Sequence, residues 1–339
     1  MAMQRVTYAI IADEFADSLL QSDINLYRPE DMPPLFKVDE CYSDNHDGDF
    51  MSLGNARRVK KIGHRSLEIH ISAWNLVATK YPNADNMIAQ SQITLYTAMS
   101  PNGHKVAIAL EELGLPYRLV PLNMRAIEHK EPWFLAINPN GRIPALTDVL
   151  EDGTDIKLFE SASILQYLVE RYDTDHIISY PRGTKEHYQT NNWLFFQMGG
   201  VGPMQGQVNH FVRYLLSSEP EKYSKDRYSN ETRRLWRVVD KHLAESGSRY
   251  IVGDKCTIAD IALSPWAKIL DFAGLNIDEW PNVKAWQERM MQREAVKKGL
   301  DIPTKVDLEK MASDPEVFKA YLANNTSWIR HGMEEDARL

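Results

Sequence analysis

Cysteine is nearly absent, with only Cys41 and Cys256 among 339 residues. Two thiols exclude a disulfide framework and a four-thiolate metal centre, and no metal site is expected. Long apolar runs are missing too. None approaches the roughly 18 to 20 residues of a membrane-spanning helix. The opening text, MAMQRVTYAIIADEFADS, carries acids where a secretory signal has its apolar stretch. A cytoplasmic protein with no membrane contact is therefore expected. Positive charge is in deficit, with 39 Lys and Arg against 47 Asp and Glu and a net charge of −8. This removes the usual electrostatic basis for binding nucleic acid, and no such partner is expected. A hydrophobic content of 43% beside 25% charged residues excludes wholesale disorder. Chemistry must come from other side chains or from a bound cofactor.

The length suits two domains with appendages. Residues 1–90 read as an irregular extension, acidic and turn-rich around Asp44 to Asp49, with a brief apolar alternation near Leu67 to Ile71. Arg57, Arg58, Lys60, Lys61 and Arg65 form a basic cluster there, read as a solvated loop, with a nuclear-import address or an anion patch as the alternative. Met87 stands just before the first convincing strand, and the folded unit is expected not to need what precedes it.

From Ile93 the pattern becomes regular. A short strand at Ile93 to Tyr96 runs into Ser100-Pro101-Asn102-Gly103, which reads as a turn opening a helix, with Ser100 as N-cap and Pro101 in the first helical position. Val106, Ala109, Leu110 and Leu113 recur at helical spacing until Gly114 and Pro116. A strand at Tyr117 to Pro121, a loop, the run Ile143 to Leu146, a strand at Ile156 to Phe159 and a helix from Ser161 complete a β-α-β, β-β-α order. Over residues 91–176 that order is a thioredoxin-like α/β sandwich. Residues 183–300 read as all-helical, with segments near 185–198, 203–217, 225–246, 258–273 and 281–293. Trp193, Phe196, Leu235, Trp236, Ile261, Leu270 and Trp286 are the core candidates. Thr257 and Asp260 carry a capping-box spacing. The tail, 301–339, is expected to hold a helix near Val306 to Leu322 and then a charged end.

Four motifs stand in order: SPNGHK (Ser100 to Lys105), NPNGRIPAL (Asn138 to Leu146), ESASILQY (Glu160 to Tyr167) and GDKCTIADI (Gly253 to Ile261), followed by Pro281-Asn282-Val283. Over about residues 91–300 they resemble the cytosolic glutathione S-transferase superfamily. The SPNGHK turn and the GGVGPMQGQ segment are similar to its fungal nitrogen-regulator-like and bacterial Nu-class branch. The resemblance implies a thioredoxin-like N-terminal domain, an all-α glutathione transferase C-terminal domain, glutathione as co-substrate and a homodimer.

The tripeptide has carboxylates, an ammonium and a thiol to be met separately. Glu160 and Ser161 precede a helix, so the Ser161 amide and hydroxyl can take the γ-glutamyl carboxylate at the positive helix end while Glu160 takes the ammonium. Alternatively, Ser161 serves only as a cap. The resemblance implies a cis bond at Ile143-Pro144, whose preceding backbone pairs with the cysteinyl unit. Arg142 is a candidate for the glycyl carboxylate, with His129 and Lys130, read as surface residues, as weaker ones. For the thiol, the resemblance points to Asn102 as donor with Ser100 assisting at the helix start, where a thiolate is favoured. Tyr96 reads as a packing residue. Met99 occupies the place where serine-type transferases often carry their activating serine, and a thioether cannot donate a hydrogen bond. Trp193, Phe196, Gln197, Met204, Gln207 and His210 are candidates for an acceptor wall, or else plain core.

The expected activity is conjugation of glutathione to a hydrophobic electrophile, or reduction of a disulfide or peroxide, in detoxification or secondary metabolism. The alternative is a glutathione-binding regulatory or interaction protein with little turnover. The extension lacks the Asn/Gln-rich text of prion-like regulators.

Overall fold

A four-stranded sheet carries the first half of the fold. In the computed structural model its strands are β1 (Thr94–Thr97), β2 (Arg118–Pro121), β3 (Ala145–Val149) and β4 (Asp155–Phe159), in the order β2-β1-β3-β4. The β1/β2 pair is parallel, and the two pairs made by β3 are antiparallel. This is the thioredoxin-like sheet that the motif order implies. The structure describes residues 92–214, 222–305 and 314–336. The extension, its basic cluster, Cys41 and Met87 lie outside the described residues.

Helix α1 (Pro101–Glu112) begins where the sequence places it, and Gly114, at φ +60, ends it in the left-handed conformation that glycine adopts without penalty. Its residues from Gly103 to Leu110 are all buried, so it is covered on every side. The sheet and α3 (Ser161–Tyr172) lie against it from its own domain, and the helical domain covers the rest. A short helix, α2 (Pro132–Leu135), lies in the loop between β2 and β3. Buried Asp148 on β3 fastens α3 by accepting from the hydroxyls of Tyr167, at 2.7 Å, and Tyr172.

The second half is helical, as expected. It comprises α4 (Lys185–Phe196), α5 (Gly202–Asn209), α6 (Lys222–Ser246), α7 (Ile258–Lys268), α8 (Pro281–Met291) and α9 (Glu294–Leu300). The expected break between residues 198 and 203 is not one. A π-helical stretch, Gln197–Val201, carries α4 directly into α5, and a second, His210–Tyr214, follows. Pro203, which has no N–H to donate, stands in this continuous run just after the π stretch, and Gly202 lies against Gln197 and Trp266, so the Gly/Pro text here marks an irregular, closely packed helix rather than a break. The capping box is present: Thr257 N–H donates to Asp260 Oδ2 at 2.9 Å, while Asp260 Oδ1 accepts from Trp286 Nε1 and the Ile251 amide at 2.8 Å each.

The two halves are joined along α1. Gly299 of α9 packs on Ile108, and any Cβ there would fall 2.6 Å from the Ile108 backbone. Arg293 clasps Glu112 with two hydrogen bonds of 2.6 and 2.7 Å. The tail differs from expectation. Its helix, α10, runs Pro315–Asp336, opening on Asp314, which accepts from the Glu316 and Val317 amides. The charged end therefore continues the helix, while residues 306–313 lie outside those described.

Candidate functional site

Strand register gathers three turns at one end of the sheet. Tyr96 pairs with Ala145 and Ala145 with Phe159, so the next row along holds Thr97, Pro144 and Glu160. The turn into α1, the Ile143–Pro144 peptide and the turn into α3 are thus neighbours, although Thr97 and Glu160 are 63 positions apart in sequence.

At the first turn Ser100 is extended (φ −162°, ψ 154°) and caps α1, with Pro101 just inside. Its Oγ accepts from the Gly103 amide at 3.0 Å, and its carbonyl accepts from His104. Oγ is the acceptor there, and since no group among the described residues accepts its own proton, that proton remains available. Half-buried Asn102 likewise makes no side-chain hydrogen bond among the described residues. Gly103 is required by proximity, since a Cβ would lie 2.2 Å from Thr97 Oγ1 and 2.8 Å from the Ala98 carbonyl. Tyr96 is occupied in packing, with ring centroids 6.3 Å from both Trp133 and Phe134. Met99 is 38% exposed beside this turn.

The second turn is held by buried Asn138, which donates to the Arg142 carbonyl at 2.6 Å and accepts from the Asn140 amide at 3.0 Å. Ile143–Pro144 is cis. Ile143 makes no backbone hydrogen bond among the described residues, so its polar groups can receive an extended peptide as a neighbouring strand would. Arg142 is exposed beside it. His129, expected on the surface, is only 2% exposed, because the Glu128–Lys130 turn folds it inward.

At the third turn Glu160 stands at φ +65°, ψ 114°, a conformation costly for a residue with a side chain, on the order of 1 to 3 kcal/mol. Its side chain is exposed and caps nothing. Ser161 does not cap α3 either. Its buried Oγ accepts from Lys105 Nζ at 3.2 Å.

Lys105 was not among the residues expected at the site, although it stands inside the SPNGHK motif. It is fully buried, and Nζ also donates to Gln197 Oε1 at 2.5 Å and contacts Met198 Sδ at 3.3 Å. Burial pushes its pKa down to about 7, against the opposing pull of the Glu160 charge. The available signal is a lysine directly abutting the apolar run Val106 to Leu110 inside the motif.

The expected acceptor wall dissolves in part. Gln197 is wholly buried and held by Lys105. Trp193 packs on Phe196 and His242, at 5.3 and 4.4 Å between ring centroids, as part of the core. Met198, like Gln197, reaches the sheet domain, with Sδ 3.5 Å from Ser161 Oγ. Cys256 is buried, and burial raises its thiol pKa, so it is inert.

Two family models match the chain: the glutathione S-transferase N-terminal domain over residues 99–171 and the C-terminal domain over residues 206–294. The glutathione S-transferase-like protein gedE of Aspergillus terreus is 44% identical over 211 residues, 59% of this chain and 90% of that one. The chain belongs to the glutathione S-transferase family. The disulfide-bond oxidoreductase YfcG of Escherichia coli is 40% identical over 210 residues (61% and 94% of the two chains), and the transcriptional regulator URE2 of Saccharomyces cerevisiae 39% over 241 (61% and 67%). Within the family the chain falls in the fungal nitrogen-regulator-like and bacterial Nu-class branch. Among solved structures, a glutathione transferase homologue from Lodderomyces elongisporus, with two glutathiones per subunit, superposes with a TM-score of 0.58 at 41% identity, covering 62% of this chain and 98% of that one.

Proposed function

We propose that this protein is a glutathione-dependent enzyme that binds the tripeptide across the three turns and keeps its sulfur ionised at the start of α1. The observation that carries this reading is the Ser100 cap. By accepting from Gly103 it leaves its hydroxyl proton, together with the Asn102 side-chain amide, to donate to a thiolate. In this reading Ile143 pairs with the cysteinyl backbone, Ser161 takes the γ-glutamyl carboxylate, exposed Glu160 takes the ammonium, and Arg142 faces the glycyl carboxylate. A free thiol of pKa about 8.5 is mostly protonated at neutral pH, and each unit of lowering takes about 1.4 kcal/mol of preferential thiolate stabilisation. Amide and hydroxyl donors at a helix N-terminus supply it.

The thiolate forms a carbon–sulfur bond to a hydrophobic electrophile as the leaving group departs, or attacks a disulfide or peroxide. In disulfide reduction, two glutathiones deliver two electrons and leave as the oxidised dimer while the substrate gains two thiols. Among the described residues no cysteine other than buried Cys256 exists to stand in for glutathione, and the relatives include both a transferase-like protein and a disulfide-bond oxidoreductase. A homodimer in the cytoplasm, where glutathione is kept reduced, is part of this reading, as is a role in detoxification or secondary metabolism.

A second reading, a glutathione-binding regulator with little turnover, is favoured by Met99, which brings no donor to the turn, and by the likeness to URE2. Steady-state turnover with an aryl halide, a hydroperoxide and a mixed disulfide separates the two. Turnover with any of them supports an enzyme. Tight glutathione binding with none establishes the regulator.

A further inference from the structure

The Lys105 ammonium has no assigned task, yet its surroundings are specific. It reaches through the domain boundary, donating to Ser161 Oγ at 3.2 Å on the sheet side and to Gln197 Oε1 at 2.5 Å on the helical side. Met198 Sδ closes its third direction at 3.3 Å. None of these partners is an anion. A fully buried ammonium with only neutral hydrogen-bond partners is costly, because desolvation is repaid only in part by the Glu160 charge. The cost is relieved if an anion arrives next to it, and Ser161 is the residue through which one would arrive.

We propose that Lys105 is the buried counter-cation of the γ-glutamyl carboxylate, a positioning residue that acts through Ser161 and ties the occupied site to the helical domain through Gln197 and Met198. The inference rests on the glutathione-binding reading above and names what that reading leaves out: the positive charge that answers the carboxylate.

The electrostatics give the proposal a signature. From α3, Glu160 is the charged group that acts on Lys105; the stretch after α4 contributes neutral Gln197 and Met198. From α7, Lys268 acts on neighbouring His104, and Arg293, before α9, is engaged with Glu112 at the far end of α1. With its pKa near 7, free Lys105 is only partly protonated in neutral buffer. A carboxylate lodged against Ser161 favours the ammonium, so binding must draw a proton from solvent whenever the pH exceeds about 7. Below that pH the proton is already present and binding becomes pH-independent. Above it, affinity falls, at most tenfold per pH unit.

The test is calorimetric titration of the full chain with S-methylglutathione, which has no titrating thiol, in two buffers of different ionisation enthalpy. Wild type is expected to take up roughly 0.7 proton per site at pH 7.5 and close to none at pH 6. An analogue with hydrogen in place of the γ-glutamyl carboxylate keeps the ligand's amine and is expected to lose this uptake. Lys105→Met is expected to lose it too and to bind about tenfold more weakly at pH 6. Lys105→Arg, permanently charged, is expected to lose the uptake while keeping the affinity. Wild-type binding without proton uptake at pH 7.5, or equal uptake with the analogue, overturns the role of Lys105 and leaves glutathione binding standing. Absence of any binding by wild type overturns both. The wild-type comparison needs no variant to fold.

Discussion

Lys105 Nζ lies 3.2 Å from Ser161 Oγ, linking α1 and α3, whose N-termini open at the same end of the sheet. Neither residue is close to the other in sequence, and neither hydroxyl nor ammonium is exposed. In the proposed reading this contact fixes the hydroxyl that takes the γ-glutamyl carboxylate. Ser161→Ala is expected to weaken glutathione binding about tenfold, or about 1.4 kcal/mol, the scale of a hydrogen bond to a charged group. Calorimetry reads this directly, and unchanged affinity would remove Ser161 from the site.

Asn102 is expected to act on the sulfur more than on the tripeptide as a whole. Asn102→Ala should lower kcat about 10- to 100-fold while changing the Kd for glutathione less than about threefold, the pattern of a donor used mainly by the charged form. Equal turnover in the variant rejects Asn102 as thiolate stabiliser.

Gly103 is fixed by space, not by backbone angle. A methyl group would meet Thr97 Oγ1 at 2.2 Å and the Ala98 carbonyl at 2.8 Å, and the carbonyl cannot swing away without moving β1. Gly103→Ala is expected to cost about 1 to 3 kcal/mol in urea unfolding and to lower turnover, because the displaced turn carries Ser100 and Asn102. A variant with wild-type stability would show that the turn is looser than its contacts indicate.

The fold was legible where local chemistry dictates it. Ser100-Pro101 announced α1, Gly114 its end, and Thr257 with Asp260 the start of α7, because capping and turn formation are decided within a few residues. The Ser100, Ile143-Pro144 and Glu160-Ser161 motifs could be found individually, but their meeting depends on strand register, which no single motif encodes. Lys105 escaped notice because its partners, Ser161, Gln197 and Met198, come from two other segments 56 to 93 residues away. Spacing leaves Gln197 open as wall or core for a related reason: its burial is decided by Lys105, 92 residues away on another element. His129 looked like a surface residue in polar text, and only the turn geometry buries it.

His104 gives a stability prediction with a definite sign. It is buried on α1, its Nε2 has no partner among the described residues, and burial, with Lys268 nearby, lowers its pKa from 6.5 to about 4. Unfolding therefore takes up a proton between those values. The stability contributed by keeping this ring neutral is fully present above about pH 6.5 and is lost as the pH falls through 4. Wild type is expected to lose about 3 kcal/mol more than His104→Leu between pH 7 and pH 4. Parallel stability curves for the two proteins would contradict this.

The measurement that bears most directly on the whole account is ultraviolet titration of glutathione bound to the full chain, following the thiolate band between pH 5 and 9. The expected result is a bound thiol at least about one unit more acidic than the roughly 8.5 of a free thiol, with that difference reduced in Asn102→Ala. A bound thiol that ionises as it does in buffer would contradict the claim that the start of α1 is built to hold a thiolate.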